Sequence, residues 1–546
     1  MIRVLEKRKP STFILFSLVF FAIPVSFGLL SLYLGKDINW DLKNYHYYNA
    51  YAFLENRLDF DIAPAQLQTF INPIADIPFY LITKSFPSWV AGFIFGFIHG
   101  LNLSAVFLIF WKLSNQDQIW KKKLLGICIV ITSGIAPGFI SELGNTMHDN
   151  LTSVFVLSAI LLLLIAIENF EKMEFSSGFV QVSLAGLIMG IGVGIKPSIT
   201  IFAIGSTCVL MLFLLSHRIK LLIGFITYGF TGIIGGVTSA GFWWWELWTR
   251  FQNPFFPFYN HIFKSSYFTS SQITWSKFLP REFWEYFAWP FIFTLDSYRT
   301  NQLQFFDIRF TLLYVLCIAW LIISAFRKFY LADQNKVSIS DDINRFEVRK
   351  GNFLLIFFLV SYILWIITSA TYRFMIPLEL LTPLCFLIII DRLLLNKKIK
   401  TILVIGATIL TFILYKPFNW VRLNWSDSYF MVDTSQFNAS DEAIVVMFGK
   451  SPTSYIIPAF PPNYRFVRPE GNLGMQQNNS PLLIGIKNLL SQHKGNIYLL
   501  YNKDETNIDL EQSLDNLELK ASIENCFILN INTPDTLEIC RLTPRK

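Results

Sequence analysis

The amino-acid sequence predicts an α-helical polytopic membrane protein with about 11 transmembrane helices and a small C-terminal α/β extracytoplasmic domain. Three observations support this prediction. Hydrophobic residues make up 53% of the chain and charged residues only 15%, whereas a soluble chain carries roughly 25% charged residues. The apolar residues form runs of about 17 to 25 residues, which is the length of a membrane helix. Hydropathy falls after residue 415, where short strand-like runs begin.

The apolar runs define the predicted spans in chain order. The first run follows a basic start (Arg3, Lys7, Arg8 and Lys9) that imitates a secretory signal. Because it is too long for a signal and no clear small-residue cleavage site follows, we interpret it as a retained span. The predicted spans are 11–34, 89–111, 124–140, 151–167, 179–195, 198–216, 220–242, 309–326, 353–370, 375–391 and 400–415.

Basic residues predict the topology. Lys and Arg are concentrated in the connections 112–123, 217–219, 327–352 and 392–399, and the opposite connections contain few for their length. The positive-inside rule therefore predicts a cytoplasmic N-terminus. An odd number of spans then places residues 416–546 outside the cytoplasm. The net charge of +7 is explained by this topology, and no nucleic-acid partner is predicted.

The predicted outer regions are large. Residues 35–88 form the first outer loop, in which 41–57 is predicted to be an amphipathic helix at the membrane surface. Residues 243–308 form a second outer loop, rich in aromatic residues. We predict a catalytic membrane module over 1–415 and a separate α/β domain over 416–546. Strand-like runs in that domain are 443–448, 496–501, 527–531 and 536–539, with a helix near 481–492.

Two cysteines of the tail flank a predicted hairpin. Cys526 and Cys540 lie on either side of a turn at 532–535, so strand pairing places them opposite each other. An oxidising compartment would permit a disulfide there, and two free thiols are the alternative.

A polar cluster directly follows the first span. On a helix, Asp41, Tyr45 and Tyr48 share one face, and His46 is adjacent. Carboxylates are costly near hydrocarbon, so one at the end of a span indicates function. A carboxylate that points into a water-filled cleft is suited to act as a general base toward a hydroxyl. The alternative is that Asp37, Asn39 or Asp41 only caps the helix.

A second polar cluster lies between the third and fourth spans. Glu142, His148 and Asp149 fall within eight residues. Two acids and an imidazole suit either a divalent cation or a sugar, but their spacing matches no established metal motif. No cofactor is therefore assigned, and a divalent cation stays an open alternative. The alternative is a polar loop in which Asp149 caps the following helix.

Two cations lie at the predicted outer face. Lys196 interrupts the hairpin between spans five and six, and Arg373, next to Tyr372, lies at the outer end of the hairpin between spans nine and ten. Cations held at the membrane interface are suited to bind lipid phosphate or pyrophosphate, which Arg binds bidentately. Snorkelling to lipid headgroups is the alternative.

Two further patterns concern packing and the membrane interface. The stretch 242–260 is crowded with aromatic rings, which are typical of anchors in the headgroup zone and also suit a platform for sugars or a polyprenyl chain. Its prolines and asparagines predict a fixed loop shape. The glycines of the fifth span (Gly186, Gly190, Gly192 and Gly194) predict close helix packing.

These features together resemble the GT-C superfamily of integral-membrane glycosyltransferases, which use lipid-phosphate sugar donors. Asp41, followed by a helix that bears Tyr45, is similar to the first-loop pattern of that superfamily. Glu142 or Asp149 occupies the place of its second acidic site. Lys196 resembles a basic residue that closes a hairpin in several polyprenyl-phosphate-dependent members, and Arg373 resembles a late arginine that holds the donor phosphate. The resemblance covers the layout of 1–415, but only a few dozen residues in motif.

The resemblance implies a function and partners. A polyprenyl-phosphate sugar is the implied donor, and a glycan, lipid or protein is the acceptor. Asp41 is the implied general base, and Asp149 and Glu142 are further catalytic residues. Tyr45, His46, His148, Lys196, Tyr372 and Arg373 are the implied substrate-binding residues. The implied location is the bacterial inner membrane.

Two rival functions stay open at this point. One is a transporter or flippase of lipid-linked saccharides, and the other is a non-catalytic scaffold for envelope assembly. Asp41 is followed by Leu42 where many superfamily members carry paired Asp-Glu, which argues against metal dependence of the oligosaccharyltransferase kind.

Overall fold

A computed structural model describes residues 15, 17–115, 118–214, 218–269, 273, 276–331, 347–393, 395–473, 480–506, 509–519 and 521–544. The predicted basic start, the first residues of the first span and much of the connection 327–352 lie outside the described residues. The chain forms two compact units. Unit 1 comprises Met1–Tyr33, Ile94–Ser239 and Trp275–Trp420, and unit 2 comprises Leu34–Phe93, Ala240–Thr274 and Val421–Lys546.

Unit 1 consists mainly of helices, and some of these helices extend beyond its residue ranges. The longer ones are Leu18–Leu34, Ser88–Leu113, Ile119–Gly134, Asp149–Glu171, Phe175–Ile195, Thr200–Leu214, Arg218–Phe251, Glu285–Leu295, Arg309–Leu331, Val348–Thr368, Ile376–Arg392 and Lys397–Leu414. Shorter turns of helix are Pro137–Ser141, Pro197–Ile199, Ser297–Arg299 and Tyr372–Met375.

Seven helices in the described residues are long and apolar enough to cross a membrane, so the predicted count of eleven is not confirmed. The other four predicted spans coincide with helices that are not among these seven. The predicted span 124–140 breaks into Ile119–Gly134 and Pro137–Ser141, because glycine and proline interrupt the run. Predicted spans 11–34, 198–216 and 400–415 correspond to Leu18–Leu34, Thr200–Leu214 and Lys397–Leu414.

Glycine allows two helices of unit 1 to approach closely. A Cβ atom at Gly190 would overlap the carbonyl oxygen of Gly232, and one at Gly186 would overlap that of Tyr228. Helix Phe175–Ile195 and helix Arg218–Phe251 therefore touch backbone to backbone at these positions. The predicted packing role is confirmed for Gly186 and Gly190.

Unit 2 contains two sheets. Strands β1 (Lys36–Asp37) and β2 (Arg422–Leu423) form an antiparallel pair. The larger sheet has the order β4-β3-β5-β7-β6, in which β3, β4 and β5 are parallel and β7 is antiparallel to both neighbours. Its strands are β3 (Ala443–Met447), β4 (Tyr464–Val467), β5 (Asn496–Asn502), β6 (Ala521–Ile528) and β7 (Leu537–Pro544).

Unit 2 also contains helices, several of which pack against the larger sheet. These helices are Tyr47–Leu54, Gln66–Phe70, Ile77–Ser85, Asn260–Phe263, Ser454–Ala459, Pro481–Gln492 and Leu510–Asn516. Strand β3 is buried along its whole length, which fits a strand flanked by parallel neighbours. The small C-terminal α/β fold is thus confirmed, with the helix predicted near 481–492.

The predicted hairpin is present, and its cysteines are joined. Strands β6 and β7 pair antiparallel, with an irregularity between Glu524 and Phe527. Cys526 and Cys540 form a disulfide with an S–S distance of 2.05 Å. Of the two alternatives for these cysteines, the structure therefore has the disulfide and not two free thiols.

The helix predicted for 41–57 differs from the prediction. A π-helical turn, Leu42–His46, leads into helix Tyr47–Leu54, and most of these side chains are buried. Within unit 2 the Tyr48 hydroxyl donates to Asp61 Oδ2 at 3.0 Å, and Arg57 donates to the same carboxylate. Arg57 also donates to the backbone oxygen of Tyr464. The apolar face of this segment packs on the α/β fold. Its amphipathic pattern therefore matches a surface that is buried against protein.

The first part of the aromatic stretch, 242–251, belongs to helix Arg218–Phe251, and the part from 252 to 260 forms the predicted loop. Asn253 and Asn260 are buried, and their side chains hold the loop backbone by donating to the carbonyl oxygens of Phe258 and Ser265. The rings divide by exposure: Trp243 is buried in a core cluster of unit 2, whereas Trp245 is 67% exposed.

Candidate functional site

Three helix ends of unit 1 bring Asp149, Lys196 and Arg373 together. Asp149 is the first residue of helix Asp149–Glu171, and Lys196 directly follows helix Phe175–Ile195. Arg373 lies in the turn Tyr372–Met375. Lys196 Nζ lies 2.5 Å from Asp149 Oδ1 and donates to the carbonyl oxygen of Met147 at 2.7 Å. Arg373 Nε lies 3.9 Å from Asp149 Oδ2.

The cluster has a surplus of positive charge. Two cations converge on one carboxylate, and the side chain of Asp149 is only 3% exposed, whereas those of Lys196 and Arg373 are 18% and 23% exposed. Both cations also lie over the Phe374 ring, 5.2 Å and 5.4 Å from its centroid. Cation–π contact and a buried counter-ion fix the two side chains in place. Ammonium and guanidinium groups held in this way suit an anion with several oxygens, such as a phosphate.

The loop before Asp149 is packed into unit 1. Gly144 N donates to His99 Nδ1 at 3.1 Å, and Asn150 donates to the carbonyl oxygen of Phe139 at 2.9 Å. Glu142 is fully buried, and His148 has a left-handed backbone with φ 66°. The predicted residues Glu142, His148 and Asp149 thus share this loop. No side-chain capping bond is made at the start of helix Asp149–Glu171, so the capping alternative for Asp149 is not supported.

A second charged cluster of unit 1 was missed by the sequence interpretation. Arg309 donates to both oxygens of Asp307 at 2.8 and 2.7 Å and to Glu379 Oε1 at 3.1 Å. The Tyr372 hydroxyl lies 2.5 Å from Asp307 Oδ2 and 2.8 Å from Glu379 Oε1. Backbone N–H groups of Gly138 and Phe139 donate to the Glu379 carboxylate. Tyr372, predicted to bind substrate, is fully buried here.

Only part of this second cluster left a signal in the sequence. Glu379 stands out because an acidic residue inside an apolar run is expensive. Asp307 and Arg309 lie at the edge of an apolar run, where charged residues are ordinary, so their burial and mutual pairing were not predictable from spacing.

The remaining predicted residues lie in unit 2. His46 Nδ1 is 2.7 Å from Asp76 Oδ1, and both side chains are buried. The His46 and Tyr45 rings are 4.0 Å apart. Burial raises the pKa of Asp76 to about 6, His46 partly offsets this rise, and Asp41 adds to it. Asn39, rather than Asp41, accepts the N-terminal N–H bond of this turn, from Leu42 at 3.0 Å.

Within unit 2, His46 and Asp76 place two possible metal-ligand atoms close together. His46 and Asp76 offer one imidazole and one carboxylate. A divalent cation such as Mg²⁺ or Ca²⁺ prefers six or more mainly oxygen ligands. The arrangement is better suited to hold a proton between the imidazole and the carboxylate.

The fold defines a class of protein. Several helices of this chain are apolar and long enough to cross a membrane, so it is a helical membrane protein. It also carries a disulfide-linked α/β fold. No protein-family model, no curated protein and no solved structure matches the chain.

Proposed function

We propose that this protein is a membrane glycosyltransferase of the GT-C type, which moves a sugar from a polyprenyl-phosphate donor to an extracytoplasmic glycan, lipid or protein. The observation that carries the proposal is the convergence of Lys196 and Arg373 on Asp149 in unit 1. Cations held at helix ends beside membrane-length helices are suited to the phosphate of a lipid donor that enters from the bilayer.

The phosphate explains why two cations are useful. In the proposed reaction, the acceptor oxygen attacks the anomeric carbon with inversion, and the bond from that carbon to the phosphate oxygen breaks. The proton of the acceptor passes to a general base, and the lipid phosphate leaves with the electron pair. Lys196 and Arg373 stabilise the charge that develops on the leaving phosphate. Asp149 holds both cations in position.

The other predicted residues take supporting roles in the proposal. Asp41, in unit 2, is kept as the general base on the resemblance alone. Glu142 and His148 orient the sugar or the acceptor, and Tyr45 and His46 contribute to substrate binding. Tyr372 fixes the turn that carries Arg373, since its hydroxyl is engaged with Asp307 and Glu379.

The proposal includes a location. A bacterial inner membrane with a cytoplasmic N-terminus agrees with the distribution of Lys and Arg in the sequence. The Cys526–Cys540 disulfide supports an oxidising compartment for the C-terminal α/β fold.

A transporter of lipid-linked saccharides is the second candidate. Glu379, inside one membrane-length helix of unit 1, pairs with Arg309 at the start of another, at an N–O distance of 3.1 Å. Ionisable residues buried in spans mark substrate or proton pathways in many transporters. Under this alternative, Glu379→Gln would abolish movement of a lipid-linked saccharide across a vesicle membrane, and Arg373 variants would reduce it less.

Label transfer from a panel of polyprenyl-phosphate sugars to water-soluble and lipid acceptors tests the proposal. Purified wild-type protein and Asp41→Asn are compared in lipid vesicles. The proposal predicts that one donor loses its label only with intact Asp41. A folded Asp41→Asn variant with full turnover would remove Asp41 as the base.

A further inference from the structure

An open cavity of about 520 Å³ lies within unit 1 and borders the second charged cluster, since Phe305 of its lining packs on the Tyr372 ring at 4.1 Å. It lies between the C-terminal ends of helix Glu285–Leu295 and helix Lys397–Leu414. Its volume falls in the range of cavities that hold small molecules. Its polar lining includes Asp296, Gln304 and Lys416, and its apolar lining includes Leu295, Ile413 and Leu414.

The cavity lies at one end of a membrane-length helix. Its lining segment 304–306 leads into the candidate span Arg309–Phe326. Phe306 N donates to the carbonyl oxygen of Lys416 at 2.9 Å, so this segment and the segment after helix Lys397–Leu414 form one wall. Leu295 is 86% exposed and Ile413 is 73% exposed. An exposed aliphatic rim suits contact with hydrocarbon, and a polar lining suits the headgroup zone.

The cavity presents two opposite charges that are not paired with each other. Among the described residues, neither Asp296 nor Lys416 forms an ion pair. Asp296 Oδ1 accepts the N–H of Tyr298 at 3.1 Å, and Lys416 Nζ donates to Gln304 Oε1 at 3.0 Å. Each side chain is exposed and keeps bonding capacity, since a carboxylate has a second oxygen and an ammonium has three donors.

We propose that this cavity binds the headgroup of a zwitterionic phospholipid, with its phosphate on Lys416 and its ammonium on Asp296. The C-terminal ends of two helices add negative potential that favours a cation nearby. A purely anionic headgroup would be repelled by Asp296, and an uncharged sugar would leave both charges unmatched. The acyl chains would extend over the aliphatic rim.

The phosphoethanolamine headgroup fits better than phosphocholine. Its primary ammonium donates hydrogen bonds to Asp296, whereas the methylated choline nitrogen has no N–H to donate. The expected order of affinity is therefore phosphatidylethanolamine first, phosphatidylcholine second and phosphatidylglycerol last.

Native mass spectrometry of delipidated full-length protein tests this assignment. Phosphatidylethanolamine, phosphatidylcholine and phosphatidylglycerol with identical acyl chains are titrated separately. Because the charges are exposed, each contact is expected to change affinity by about three- to fivefold. Lys416→Gln weakens binding of all three lipids, and Asp296→Asn removes the preference for phosphatidylethanolamine over phosphatidylglycerol.

Matched control variants distinguish lipid binding at this site from nonspecific lipid binding elsewhere on the protein. Lys494→Gln and Asp427→Asn remove exposed charges of unit 2 and are expected to bind lipid as the wild type does. Thermal unfolding of each variant shows whether it has folded. Equal affinity of the wild type for all three lipids would overturn the assignment. So would unchanged lipid preference in folded Asp296→Asn and Lys416→Gln.

Discussion

Lys196 Nζ lies 2.5 Å from Asp149 Oδ1, which joins the end of one membrane helix to the start of another. The residues are 47 positions apart in sequence, yet the contact is nearly buried on the Asp149 side. Arg373 approaches the other oxygen of the same carboxylate. One carboxylate thus fixes two cations at one end of the helices of unit 1.

Replacement of Asp149 by Asn is expected to destabilise unit 1. The amide keeps the shape but leaves the two cations close together without their counter-ion. The expected loss is about 1.5–3 kcal/mol, as for a hydrogen bond to a charged group. Thermal unfolding of the purified protein in detergent measures it. A matched control is Asp427→Asn, which removes an exposed carboxylate, and an Asp149→Asn midpoint equal to that of the control would contradict the expectation.

Replacement of Gly190 by Ala is expected to push two helices apart. Its new methyl group would overlap the carbonyl oxygen of Gly232. Overpacking of this kind costs about 1–3 kcal/mol. Gly229→Ala, on the opposing helix, is the control, because a methyl group at that position would have no neighbouring atom within 4 Å. Equal unfolding temperatures for the two variants would show that the helices do not touch at Gly190.

Removal of the Asp61 charge is expected to unfold part of unit 2. Asp61 accepts bonds from Arg57, from the Tyr48 hydroxyl and from Phe466 N, and it is buried. Asp61→Asn leaves the buried guanidinium of Arg57 without its counter-ion, which costs about 3–5 kcal/mol. Limited proteolysis of residues 34–93 measures the loss of structure. The double variant Arg57→Met with Asp61→Leu should recover most of the resistance, and equal sensitivity of the single and double variants would contradict the charge argument.

Lys36 is expected to make stability rise with pH between about 8 and 10.5. Burial lowers the pKa of Lys36 from its ordinary value of 10.5 to about 8 in the folded protein. Between these values the unfolded chain binds more protons than the folded chain, so the free energy of unfolding increases with pH, by at most about 1.4 kcal/mol per pH unit. Below pH 8, Lys36 is charged in both the folded and the unfolded chain, so the full cost of burying its charge lowers the stability of the folded protein.

Unfolding of wild type and Lys36→Met at pH 7.5, 8.5 and 9.5 measures this effect. The wild type should gain stability relative to the variant as pH increases. Lys494→Met, which removes an exposed lysine, controls for general effects of pH. Parallel curves for wild type and Lys36→Met would contradict the argument.

Local patterns were predictable from the sequence. Strand β3, the hairpin of β6 and β7 and the helix Pro481–Gln492 follow from short-range periodicity and turn residues. The apolar runs marked the helices, but apolarity alone does not show breaks such as the one at Pro137, and the count of eleven spans is not confirmed. The close packing at Gly186 and Gly190 was also visible, since small residues in an apolar helix have few other uses.

Contacts between distant residues were not predictable. Lys196 and Arg373 were each expected at a membrane face, but their convergence on Asp149 depends on how three helices pack. Similarly, an amphipathic pattern cannot distinguish a lipid surface from a protein surface. Tyr48 and Arg57 lie in the segment predicted as a membrane-surface helix, and their contacts anchor this segment to the α/β fold of unit 2.

Transfer of radiolabelled sugar from polyprenyl phosphate by wild type and Arg373→Gln is the most direct test of the proposed transferase. Lys398→Gln, which removes an exposed cation of unit 1 that belongs to neither proposed phosphate site, is the matched control. Turnover is expected for the wild type and the control. For Arg373→Gln, kcat/KM is expected to be at least about tenfold lower, which corresponds to about 1.4 kcal/mol of lost phosphate stabilisation. Turnover of no donor by folded wild type, or full turnover by Arg373→Gln, would contradict it.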